Sequence, residues 1–137
     1  MTRVIVFGTF DMIHEGHMNL FRQAKNLAPN AHVIVSVARD KNVERIKGRL
    51  PENAEEMRVR AVRGCEYVDE VVLGDSDGYL AHILKAKPDI VALGYDQEGE
   101  YVQNLSHDLE AAGFVAKVVR MNAFHPETFK TSKLRGA

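Results

Sequence analysis

Residues 8–17 read GTFDMIHEGH and follow without a break on the apolar run VIVF at 4–7. That run is nearly continuous and rich in branched side chains, the pattern of a strand buried on both faces in a parallel sheet. Gly8 and Gly16 permit close backbone approach, and a helix begins near Gly16. Two histidines, His14 and His17, stand where the strand gives way to that helix.

Working outward, similar apolar runs recur at VIVSVA (33–38), VVL (71–73), IVAL (90–93) and VAKVV (115–119). Between them lie segments with helical spacing. In 18–28, Leu20, Phe21, Ala24 and Leu27 share one face and Arg22, Gln23, Lys25 and Asn26 the other. Pro51 opens a second helix through 52–65, with acids in its first turn. A third spans about 79–87 and stops at Pro88; a fourth spans about 101–112 and ends at Gly113. The stretch 38–49 reads as a charged loop. Five alternations of strand and helix predict an α/β fold, a single Rossmann-like three-layer α/β/α domain over 1–137 with a five-stranded parallel sheet.

The bulk composition narrows the function classes. With 137 residues, 45% hydrophobic and 27% charged, the chain has the make-up of an ordinary globular domain. Lysines and arginines number 18 against 19 acids, so a net charge of −1 gives no general pull toward nucleic acid or membrane, and any anion site is local. The one cysteine, Cys65, excludes an internal disulfide framework and a cysteine-based zinc cluster, and it is read as lying within the second helix. There is no signal-peptide pattern and no window of eighteen apolar residues, so the expected location is cytoplasmic.

Ligands of open parallel sheets bind at the carboxyl ends of the strands, near the point where strand order reverses. Segments 8–17, 39–49, 94–99 and 120–133 all follow strands and therefore fall on that one edge. In the first, Thr9 offers a hydroxyl and a backbone N–H, and the helix start offers unpaired N–H groups with the positive end of the dipole, a setting for phosphate. His14 and His17, spaced i and i+3, project to one side as hydrogen-bond donors. A zinc site would need a further ligand, and neither a Walker loop nor GxGxxG occurs in the chain.

GTFDMIHEGH resembles the GxFDxxHxGH signature of the cytidylyltransferase-like nucleotidyltransferases, and the resemblance covers nearly the whole chain. It implies an enzyme that transfers a nucleotidyl group from a nucleoside triphosphate to a phosphorylated acceptor and releases pyrophosphate, with a divalent metal, magnesium, as cofactor. By position, His14 and His17 would meet the triphosphate and stabilise charge at the α-phosphorus. Gly8, Thr9, Phe10, Glu15 and Gly16 would line the nucleotide site with them.

The other three segments follow the same resemblance. Residues 39–49 carry a net charge of +3; Lys47 of the KG pair would hold phosphate oxygens, with Arg39 nearby. Arg58 stands where the family often has an arginine and is a phosphate or acceptor candidate, although Arg58 or Arg60 reads equally as an exposed helix residue. In LGYDQ (93–97), Gly94 lets the chain pass near the base and Asp96 would accept hydrogen bonds from base or ribose. FKTSKLR (129–135) resembles the family's ISTT-type motif, with Thr131 and Ser132 at the hydroxyl positions and Lys133 supplying charge; Phe124 would stack on the nucleotide. LGYDQ and VARD (37–40) are similar to the archaeal-type FAD synthases, so ATP is expected ahead of CTP and FMN as acceptor. Glycerol-3-phosphate cytidylyltransferase is the alternative enzyme. Lys130, where a serine is common, and the short stretch after the motif leave open a nucleotide-binding module without turnover. The resemblance also implies small-molecule substrates and a homodimer.

Overall fold

The computed structural model describes residues 1–74, 79–94 and 100–121, with backbone alone at 79–81, 100–104 and 106. The strands are β1 (Thr2–Gly8), β2 (Ala31–Val37), β3 (Glu70–Leu73), β4 (Ile90–Leu93) and β5 (Lys117–Arg120). The helices are α1 (Glu15–Lys25), α2 (Asp40–Lys47), α3 (Glu55–Arg63), α4 (Tyr79–Ala86) and α5 (Glu100–Ala111). All pairings are parallel, in the order β3-β2-β1-β4-β5. The expected five-stranded α/β architecture is therefore the observed one.

Alternate residues of each central strand feed different cores. Val4, Val6, Val33, Val35 and Val37 pack with Phe21 and Ala24 of α1 and Val62 of α3 on one face. Ile5, Ile34, Val91 and Leu93 pack with Ile83 of α4 and Leu105 and Leu109 of α5 on the other. Burial on both faces is why VIVF reads as a continuous apolar run. Strand order reverses at β1, which lies between β2 and β4, and Gly8 is level with Val37 while Val6 is level with Ala92. The turn after β1 thus opens at the switch point, where such sheets bind ligands.

Two expectations are corrected. Residues 38–49 are not a loop: 40–47 form α2, ended by Gly48 in the left-handed region (φ 80). Only Val43 of that helix is buried, so it lacks the apolar stripe by which a helix is read from sequence. The second helix does not open at Pro51 but at Glu55, because the backbone at Glu52 and Asn53 is held by the side chain of Asp11. It also ends at Arg63, so Cys65 lies beyond it.

Candidate active site

The turn after β1 is built around Phe10. Its backbone is left-handed (φ 54), a conformation that costs a bulky residue roughly 1–2 kcal/mol. The ring is buried in the core, 5.5 Å from the Phe21 ring and edge-on to His17 at 5.3 Å. Glycine is required two residues earlier, because a Cβ at Gly8 would stand 2.6 Å from Phe10 Cζ. Phe10, expected to line the nucleotide site, thus faces the core and supports His17 from beneath.

The two histidines close the start of α1 on each other. The Gly16 N–H donates to His14 Nδ1 at 3.0 Å, and the His14 N–H donates to His17 Nδ1 at 3.3 Å, a reciprocal capping box. The His17 and Met18 N–H groups donate to the His14 carbonyl. The rings stack, centroids 3.9 Å apart and planes 26° from parallel. A ring nitrogen that accepts from a backbone N–H carries no proton, so each neutral imidazole has its proton on Nε2. Burial also lowers the pKa of His14. The Gly16 and His17 amides serve the cap, and the ring donor of each neutral imidazole is its Nε2–H.

Lys47, at the end of α2, reaches back to donate to Thr9 Oγ1 at 3.3 Å, which brings the basic helix over the turn. Arg39 Nε donates to the Gly74 carbonyl at the end of β3, and its Nη1 lies 3.8 Å from Glu55 Oε2. Glu15 is exposed in the first turn of α1. Gly94 accepts from Arg120 Nη1 at 2.9 Å. Asp96, Phe124, Thr131, Ser132 and Lys133 lie outside the described residues.

Arg58 has a different setting from the one expected of a substrate contact. It is buried, whereas Arg60 is exposed, and its donors go to protein oxygens on four segments. Its place four residues before the buried Val62 is the sequence signal for an inward-facing side chain. Asp11 was not singled out, yet its carboxylate accepts from the Glu52 and Asn53 N–H groups at 2.8 Å each. No pattern in the sequence pairs residues 11 and 53.

Among the described residues no group of three or more His, Cys, Asp or Glu could hold a metal ion. The carboxylate of the motif, Asp11, is taken up by Asn53 and Glu52. Among the described residues, too, no helix is long and apolar enough to cross a membrane.

The βα turn at the switch point thus brings together two stacked imidazoles and a lysine. Residues 5–137 match the cytidylyltransferase-like family, and the chain belongs to it. Relatives named FAD synthase include that of Korarchaeum cryptofilum, 43% identical over 89% of this chain and 82% of its own length. That of Pyrococcus abyssi is 40% identical over 96% and 88%. In structure, the chain is similar to a lipopolysaccharide core biosynthesis protein from Thermoplasma volcanium (TM-score 0.82, 31% identity, 90% of this chain and 98% of that one). Pantothenate synthetase from Thermus thermophilus shares the fold (TM-score 0.63, 18% identity, 98% of this chain and 61% of that one). The enzyme class expected from GTFDMIHEGH, a nucleotidyltransferase, is the one these relatives support.

Proposed function

We propose that this chain is an FAD synthase, joining the AMP part of ATP to FMN. The observation that carries the chemistry is the pair of Nδ1-anchored imidazoles at the switch point; relatives named FAD synthase supply the substrates. An oxygen of the FMN phosphate attacks the α-phosphorus of ATP. The bond from that phosphorus to the bridging oxygen breaks, and pyrophosphate leaves with the electron pair. No covalent enzyme intermediate is needed.

The Nε2–H groups of His14 and His17 meet the non-bridging oxygens as negative charge builds on them. Donors fixed before the reaction spend no reorganisation at that moment, and removing one such donor costs about 3–4 kcal/mol of barrier. Lys47 supplies positive charge from α2, and Thr9 beneath it is the hydroxyl it exchanges for phosphate oxygen. Arg39, Asp96, Phe124, Thr131, Ser132 and Lys133 complete the reading as phosphate and nucleotide contacts, on sequence grounds. A magnesium ion would be carried chiefly by the nucleotide's own phosphates, since the described residues build no cage for it. A cytoplasmic homodimer acting on small molecules belongs to the same reading.

The test offers ATP and CTP, each with FMN and with glycerol 3-phosphate, measures pyrophosphate and identifies the product by mass. FAD formed from ATP and FMN is expected. Pyrophosphate released only with CTP would overturn the substrate assignment, and nucleotide binding without release under any acceptor would leave a module without turnover.

A further inference from the structure

Arg58 is the bulkiest fully buried side chain among the described residues, with its side chain 0% exposed. A guanidinium out of water is costly unless hydrogen bonds replace the lost hydration. Here its Nε–H donates to the Asn53 carbonyl at 3.0 Å, Nη1 to the Thr9 and Ala38 carbonyls at 2.8 and 2.7 Å, and Nη2 to Asp40 Oδ1 at 2.6 Å. Thr9 follows β1, Ala38 follows β2, Asp40 begins α2 and Asn53 precedes α3. One planar group therefore joins the carboxyl ends of the two central strands to the starts of two helices.

Asp11 holds the same segment from the other side. Its carboxylate takes the Glu52 and Asn53 N–H groups, and Asn53 Nδ2 donates to the Asp11 carbonyl at 2.6 Å. The strained Phe10 is thus tied on both sides, through the Thr9 carbonyl and through Asp11, to residues 52–58. His14 is three residues beyond Asp11. We infer that Arg58, with Asp11 and Asn53, is a positioning clamp: it sets the turn that carries His14 and His17 and governs turnover without touching either substrate. This rests on the proposed nucleotidyl transfer for its kinetic consequence, and on geometry alone for the clamp itself.

The test compares the full-length wild type with Arg58→Lys and Asn53→Ala in steady-state kinetics with ATP and FMN, and in amide hydrogen exchange. Lysine keeps the charge but cannot supply a planar fork to four acceptors. Both variants are expected to lose about tenfold or more in kcat, with KM for ATP and FMN within about threefold. Amides of 9–17 should exchange about tenfold faster while β1 and β2 keep their protection. A raised KM for ATP at unchanged kcat would make Arg58 a substrate ligand and overturn the clamp. Uniformly faster exchange at unchanged kcat would reduce it to general stability and overturn it equally. If the wild type shows no turnover, the function reading fails, and the exchange at 9–17 still decides the clamp. Should Arg58→Lys not fold, Asn53→Ala, at an exposed residue, carries both measurements.

Discussion

At the scale of single residues, the proposed chemistry rests on which nitrogen of each imidazole holds the proton. Because both Nδ1 atoms accept from backbone N–H groups, protonating either ring breaks a helix cap as well as adding charge. Replacing His14 or His17 by alanine should lower kcat by about a hundredfold or more, read from pyrophosphate release, while the far-ultraviolet circular dichroism is kept. Full turnover in either variant would remove the proposed role. The pH dependence follows from the His14 pKa, which burial holds below its ordinary 6.5. The unfolded chain takes up the proton more readily, so this contribution to stability is complete above pH 6.5 and is lost as the pH falls below it. Tm measured through that window should fall with pH, and His14→Gln should flatten the slope. Asp69 does not confuse the reading. Desolvation raises its pKa, but hydrogen bonds from Lys25 and the Val33 N–H, with the charges of Lys25 and His32, outweigh that and hold it below 3.8. Its own contribution is therefore lost only at far lower pH. The histidines were legible because their motif is local; their tautomers were not, since these depend on where two backbone amides point.

At the scale of elements, α1 and the five strands follow from patterns confined to short windows, whereas α2 does not. Its sequence offers Val43 and Ile46 as apolar residues, and Ile46 is 74% exposed. What fixes its start is contact across the fold: the Asp40 N–H donates to Glu55 Oε1, and the Glu55 N–H donates to Asp40 Oδ2. Each helix caps the other, fifteen residues apart in sequence, and no scan of neighbouring residues finds such a cap. Glu55→Ala should cost about 1 kcal/mol in chemical denaturation, the scale of a lost N-cap, and should raise KM for ATP as α2, which carries Lys47, loses a tie at its start. An unchanged KM would show that α2 holds its place without that cap.

At the scale of the whole molecule, the site is an extension of one core. Phe10 belongs to the cluster formed by β1, β2, α1 and α3, and the same ring lies edge-on to His17. The fold class was readable because two-sided burial writes itself into composition. The link between core and site was not, because it depends on a backbone reversal at Phe10 that only the packed structure requires. The clearance at Gly8 then has an evolutionary meaning: positions 8 and 10 form one genetic unit. Gly8→Ala should displace the Phe10 ring and reduce both Tm and kcat. Phe10→Leu alone should do so as well, by removing the support beneath His17. Combined, they should cost less than the sum of the two, since the smaller side chain relieves the clash, and a double-mutant cycle measures the difference. This glycine is therefore exchanged at lower cost once its aromatic partner has changed.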